Sequence, residues 1–121
     1  MKANELMIGD WVLDKKTNRP YKIIGTNDLL FHDDYSHIPL TEEILEENFL
    51  TQRGEWTEPV LYFFGNDYIE VSIKEYTDGI WEIVVDEVEM SGLPSWRMYV
   101  SDVHQLQHAL RLCNIDKKIK L

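Results

Sequence analysis

Apolar and polar residues alternate most regularly between residues 59 and 100. In the segment DYIEVSIKEY (67–76), Ile69, Val71 and Ile73 share one strand face, and most polar side chains share the other. The runs 60–64, 80–88 and 96–100 also have strand character, and hairpin turns are predicted at Gly65-Asn66 and Asp78-Gly79. We therefore predict an antiparallel β-meander over residues 59–100 with one buried face.

Two segments have helical spacing of apolar residues. Residues 41–49 follow Thr41, a good N-cap, and acidic side chains occupy the first turn. In residues 101–114 the apolar positions recur every three or four residues, with Ser101 as the predicted cap and Asn114 as the left-handed stop. A helix that follows a meander most simply packs across its apolar face, and we expect that arrangement here.

The first 40 residues predict short strands. Apolar residues at 11–13, 21–24 and 29–31 are separated by the turn-forming stretch KKTNRP and by Gly25. Small, strongly bent β-barrels often begin in this way. The predicted fold class is α+β, in a single domain over 1–121, with a tail at 115–121.

Composition narrows the range of functions. The 121 residues carry a formal charge of −10, which disfavours binding to a nucleic-acid backbone. The single cysteine and the lack of a long apolar stretch predict a cytoplasmic protein without a membrane span. The basic residues Lys117, Lys118 and Lys120 follow the last helix, where cations favour its C-terminal dipole.

The last predicted helix carries the clearest candidate chemistry. His104 and His108 are four residues apart, so both could ligate one metal ion. Gln105 stands where a helical zinc-protease motif has glutamate, and an amide cannot act as a general base. Helical geometry puts both histidines and Arg111 on the polar arc opposite Leu106. We therefore expect two solvent-facing histidines.

The loop FHDDYSH (31–37) is a second candidate metal site. His32, Asp34 and His37 offer ligands that suit Zn²⁺ or Mn²⁺, although a solvated turn is the simpler interpretation. The case for a metal strengthens if His32 or His37 joins His104 and His108 in space.

The other candidates concern surfaces and nucleophiles. Cys113 lies on the apolar stripe of the last helix and is expected to be a small core residue. The meander aromatics Tyr62, Phe64 and Tyr68 are candidates for an interaction surface, because both faces of the strand 60–64 are apolar.

Three segments carry a resemblance: NELMIGDWV (4–12), IPLTEEILEENF (38–49) and YVSDVHQLQHALRLCNI (99–115). They resemble a group of small uncharacterised proteins encoded by gut anaerobic bacteria, often in or near phage-like and mobile elements. The resemblance covers well under half of the chain. It implies a bacterial or phage cytosolic origin and an accessory role, and it carries over no activity, cofactor or catalytic residue.

The sequence as a whole contains no complete catalytic set. It favours a non-enzymatic module that contacts another protein, with no cofactor, and a homo-oligomer through a sheet edge is a further option. The alternatives are a metal-dependent enzyme that uses His104 and His108 or His32 and His37, and an acidic mimic of nucleic acid.

Overall fold

The computed structural model describes residues 5–52, 60–65, 69–87 and 96–121. The fold class is α+β, as predicted. The chain divides into two compact units, one formed by residues 1–39 and 102–119 with Leu121, and the other by residues 40–101 with Lys120. In the part of the chain that is described, no helix is long and apolar enough to cross a membrane.

The first unit contains a three-stranded antiparallel sheet and the C-terminal helix. Its elements are β1 (Trp11–Asp14), β2 (Arg19–Lys22), α1 (Thr26–Leu30), a 3-10 turn (His32–Asp34), β3 (Tyr35–Ser36) and α3 (Val103–Leu112), which is numbered after the helix of the second unit. The strand order is β2-β1-β3. Pro20 is tolerated in β2 because this is an edge strand, where a ladder donor can be missing.

The core of the first unit forms between the sheet, the helix and the tail. The buried apolar residues, all less than 9% exposed, are Leu6, Val12, Ile23, Tyr35, Val103, Leu106, Ala109, Leu110, Ile115 and Ile119. The C-terminal helix α3 packs on a sheet as predicted, and within the first unit it contacts β1 of the three-stranded sheet. The apolar stripe of a helix indicates that one face is covered, but it does not indicate which sheet covers it.

The Gln107 side chain connects α3 to the start of β1 by hydrogen bonds to the backbone. Its side-chain oxygen accepts a hydrogen bond from the Trp11 backbone N–H at 2.8 Å, and its side-chain nitrogen donates to the Gly9 carbonyl at 3.0 Å. The side-chain amide thus makes hydrogen bonds that a neighbouring strand would otherwise make. The Gly9 carbonyl and the Trp11 N–H are satisfied although they are partly buried. Gly9 has a φ of 96°, a conformation that favours glycine.

The second unit is the predicted meander with one helix before it. It contains α2 (Glu42–Asn48), β4 (Leu50–Gln52), β5 (Leu61–Gly65), β6 (Ile69–Thr77), β7 (Ile80–Glu87) and β8 (Trp96–Val100), and its strand order is β4-β5-β6-β7-β8. The predicted alternation is confirmed, because Val71, Ile73, Ile83 and Val85 are buried on one face. Trp81 donates its indole N–H to the Leu40 carbonyl at 3.1 Å.

Local turn and cap predictions have mixed outcomes. Thr41 is the N-cap of α2, and Gly79 (φ 78°) and Asn114 (φ 58°) have the left-handed backbone that the sequence predicted for a hairpin and a helix stop. The cap of α3 is Asp102 rather than Ser101. The other predicted hairpin, at Gly65-Asn66, continues into residues 66–68, which lie outside the described ranges.

One strand prediction is wrong, and one strand was missed. The segment 29–31 is not a third strand, because Asp28 accepts hydrogen bonds from the Ile24 backbone N–H and the Tyr21 hydroxyl, both at 2.9 Å, and the chain forms α1 instead. The third strand is Tyr35–Ser36. The short edge strand Leu50–Gln52 was not predicted, because all three of its residues are exposed and carry no buried alternation.

Candidate metal centre

Three side chains that are distant in sequence converge in the first unit. Glu5 precedes β1, His37 directly follows β3, and His104 lies in the first turn of α3. Each offers one nitrogen or oxygen atom, and these atoms all lie within 4.8 Å of one another. The structure therefore brings His37 and His104 together, which is the juxtaposition that strengthens the case for a metal.

Backbone contacts explain why the loop and the helix meet. Pro39 and Asp102 form an antiparallel bridge, and the Val103 N–H donates to the Ile38 carbonyl at 2.9 Å. These contacts hold the segment after β3 beside the start of α3. The rings of His37 and His104 lie 5.1 Å apart between centroids as a result.

His37 is oriented by a carboxylate. Its Nδ1 lies 2.9 Å from Oδ2 of Asp102, and its Nε2 lies 3.9 Å from Oε2 of Glu5. When the proton is on Nδ1 and this N–H donates a hydrogen bond to Asp102, Nε2 keeps its lone pair and faces Glu5. A carboxylate behind the ligating imidazole is the usual outer shell of a histidine metal ligand, since it fixes the tautomer and raises the basicity of the ring.

His104 is the buried member of the group. The residue is only 2% exposed. Among the described residues, its Nδ1 has no hydrogen-bond partner. Burial lowers the pKa of His104 below its usual value, and the neighbouring His37 lowers it further. The ring is therefore neutral at pH 7, which is the form that can donate a lone pair to a metal. A buried, unpaired ring nitrogen costs free energy unless something binds it.

The spacing of the three side chains suits one transition-metal ion after a small adjustment. Two ligand atoms at about 2.0–2.1 Å from a tetrahedral zinc ion lie about 3.3–3.4 Å apart. The 3.9 Å separation of His37 Nε2 and Glu5 Oε2 is too long for a hydrogen bond, but it is close to this distance. Both side chains are more than a third exposed, so they can move toward an ion.

Gln105 has a structural role rather than a catalytic one. The Asp102 side chain caps the N-terminus of α3, and Gln105 completes the capping box by accepting the Asp102 N–H at 3.3 Å. The Gln105 side chain is therefore engaged at the start of the helix. The same Asp102 carboxylate caps the helix and orients His37.

His108 belongs to a different cluster, centred on Asp10. Asp10 is fully buried, and its carboxylate lies 2.6 Å from His108 Nε2 while accepting hydrogen bonds from Arg111 Nη1 at 2.8 Å and from the Met7 N–H at 2.7 Å. Burial raises the pKa of Asp10, but the hydrogen bonds from His108, Met7 and Arg111 outweigh it and leave this pKa below its usual value. Arg111 is thus paired with a buried carboxylate.

The prediction of two solvent-facing histidines on α3 is wrong. His104 is buried, and His108 is only 25% exposed and bound to Asp10. The helical wheel placed them opposite Leu106 correctly, but the chain around Asp10 and His37 covers that side of the helix as well. A wheel with one apolar stripe gives no sign of a second, polar contact surface.

The remaining sequence candidates do not join the site. Within the described ranges His32 and Asp34 belong to no group of three ligands, and His32 Nδ1 lies 3.2 Å from Asp33 Oδ1. Glu5 was not predicted as a ligand, because an isolated glutamate in a short N-terminal segment carries no motif. Burial raises the pKa of the Cys113 thiol, which is typical of a structural cysteine rather than of a nucleophile.

The structure also alters the set of residues that could form an interaction surface on the meander. Tyr62 is 1% exposed and packs edge-on against Trp81, so it is a core residue and not a surface residue. Phe64 is half-buried on the same strand, and Tyr68 lies outside the described residues. A protein-interaction role and an acidic mimicry of nucleic acid both stay predictions.

Comparisons of the chain with models of protein families, with curated proteins and with solved structures find no match. The positions and chemistry of the side chains are therefore the basis on which a function is assigned.

Proposed function

We propose that the protein is a metal-binding module that holds one divalent transition-metal ion, zinc by its donor chemistry, at Glu5, His37 and His104. The observation that carries this proposal is the Nδ1 atom of His104, which is buried and, among the described residues, lacks a hydrogen-bond partner. The same side chain offers one of three ligand atoms that all lie within 4.8 Å of one another.

The donor set supports zinc or a similar ion. Two imidazoles and one carboxylate suit Zn²⁺, Fe²⁺ and neighbouring first-row ions rather than Ca²⁺ or Mg²⁺, which prefer oxygen ligands. The Glu5 carboxylate and the Asp102 carboxylate behind His37 together balance the charge of a dication. The guanidinium of Arg111, on the same helix as His104, is paired with Asp10 and does not oppose the ion.

Such an ion would link three parts of the first unit. Glu5 comes from the segment before β1, His37 from the end of β3, and His104 from α3. The unfolded chain does not hold these three side chains together, so the ion would bind the folded form and stabilise this unit. Hydrolysis through a glutamate base on the helix is not part of the proposal, since Gln105 occupies that position and is held in the capping box.

Zinc binding by the full chain without a histidine tag tests the proposal. We expect one zinc ion per chain in a calorimetric titration. His37→Ala removes one of three ligands and should lower the affinity by more than the roughly 10–100-fold effect of outer-shell changes. His32→Ala is the matched control, because it removes a histidine of the same loop that lies outside the group, and it should bind zinc like the wild type.

Two outcomes would contradict metal binding at this site. One is the failure of the wild-type chain to take up a stoichiometric amount of zinc. The other is an equal loss of affinity in His32→Ala and His37→Ala, which would place the ion elsewhere or show non-specific binding.

A further inference from the structure

A cavity of about 200 Å³ lies in the first unit, away from the three metal-binding side chains. It is lined by β1 and β2 through Trp11 and Lys22, by the end of α3 through Arg111, and by the tail segment 115–119. A water molecule occupies about 30 Å³ of liquid, so the cavity has room for a small ion or a fragment of an organic molecule. It is smaller than the usual pocket for a drug-sized ligand.

The charge of the cavity is opposite to that of the chain. The chain as a whole has a formal charge of −10, yet four of its twelve basic residues line this cavity. Among the described residues that line it, one, Asp116, has a carboxylate side chain. The four basic residues are Lys22, Arg111, Lys117 and Lys118. Arg111 is paired with Asp10, so the repulsion arises mainly between the lysines, such as Lys22 and Lys118, that face the same small volume, and an anion in that volume relieves it.

The helix dipole does not account for this gathering of cations. It explains lysines that follow α3 along the chain, but Lys22 comes from β2, which is about 90 residues away in sequence. The last carbonyls of α3 are moreover covered by the backbone N–H groups of residues 113–115, which donate to Ala109, Arg111 and Leu110. These three carbonyls therefore do not need the lysines as hydrogen-bond donors.

The wall of the cavity is held in place. The Trp11 indole N–H donates to the Ile119 carbonyl at 2.9 Å, and Lys22 Nζ lies 6.0 Å from the centre of the indole ring. Arg111 is anchored through Nη1 to Asp10, and its Nη2 lies so close to Gly9 that a Cβ there would come within 3.0 Å of it. A fixed guanidinium and flexible lysines beside a flat apolar ring suit a phosphate group attached to a planar molecule.

We propose that this cavity binds a small phosphate-bearing molecule, with Lys22, Lys118 and Arg111 as its charged partners and the Trp11 indole as its apolar wall. The proposal is independent of the metal site, because it uses different side chains and a different surface of the first unit.

Titration of the full chain with inorganic phosphate, pyrophosphate and ATP tests this proposal, with adenosine as the uncharged comparison. The buffers are freed of metal ions by a chelating resin, and the titrations are repeated with His37→Ala, so that phosphates held through a metal are excluded. We expect saturable binding of pyrophosphate or ATP at one molecule per chain, and no binding of adenosine. Equal affinities for the two would indicate recognition of the phosphates alone, and tighter binding of ATP would indicate that its base contacts Trp11.

Paired lysine variants decide whether the cavity is the binding site. The double variant Lys22→Gln/Lys118→Gln should weaken binding by about tenfold or more, because it removes two of the cations. The control is Lys15→Gln/Lys16→Gln, which makes the same change in net charge in the turn after β1. Both pairs carry exposed side chains on the same unit, and circular dichroism confirms that each variant is folded. Absence of saturable binding, or the same loss in the control, would overturn the proposal.

Discussion

Replacing Asp10 by alanine is expected to lower the free energy of unfolding by about 3 kcal/mol, the lower end of the cost of breaking a buried ion pair. Asp10 is fully buried and accepts hydrogen bonds from the backbone N–H of Met7 and the guanidinium of Arg111, and it is paired with His108. The lower end applies because His108 and Arg111 keep 25% and 34% of their side-chain exposure and can be partly solvated. Urea unfolding followed by circular dichroism measures the difference.

The effect of this substitution should depend on pH. The pKa of Asp10 in the folded chain is lowered, so the stabilisation from its carboxylate is complete above the unfolded pKa of about 3.9 and is lost as the pH falls through the folded pKa. The difference between wild type and Asp10→Ala should therefore be large at pH 7 and shrink in strong acid. Asp33→Ala is the control, because the Asp33 side chain is 88% exposed. A loss at pH 7 no greater than that of the control would contradict the role of Asp10.

The substitution Asp102→Asn is expected to lower the zinc affinity by about 10–100-fold while leaving the fold intact. Asparagine caps a helix about as well as aspartate, so the start of α3 should keep its stability to within about 1 kcal/mol. The amide, however, lacks the negative charge that orients and polarises His37 through its Nδ1–H. The variant thus separates the two roles of one carboxylate.

Zinc competition titrations and urea unfolding of the metal-free chain together measure these two roles. Asp102→Ala is the comparison, since it removes both the cap and the carboxylate and should lose stability as well as affinity. Wild-type zinc affinity in Asp102→Asn would show that this carboxylate does not support the metal site. A loss of metal-free stability equal to that of Asp102→Ala would show that the substitution acts through the helix alone.

The sequence predicts the second unit better than the first. The strands of the meander alternate over five to nine residues, and each register position is reinforced by its neighbours, so a local pattern is enough. The strands of the first unit are only two to four residues long. At that length alternation carries little information, and side-chain contacts such as that of Asp28 with the Ile24 N–H decide between a turn and a strand.

The candidate site shows a similar limit. His37 and His104 could be singled out from the sequence, since histidines are few and their chemistry is distinctive. Their convergence with Glu5 depends on the bridge between Pro39 and Asp102, which joins positions more than 60 residues apart. The burial of His104 could not be predicted either, because the polar groups that surround it are supplied by distant segments and leave no local periodic signal.

X-ray absorption at the zinc edge of the one-to-one complex tests the metal site most directly. The proposed ligands would give a first shell of nitrogen and oxygen atoms at about 2.0–2.1 Å, with outer-shell scattering from two imidazole rings. In His37→Ala one of the two rings should be lost from the spectrum. A wild-type spectrum with one imidazole or none would contradict the assignment of Glu5, His37 and His104 as the ligands.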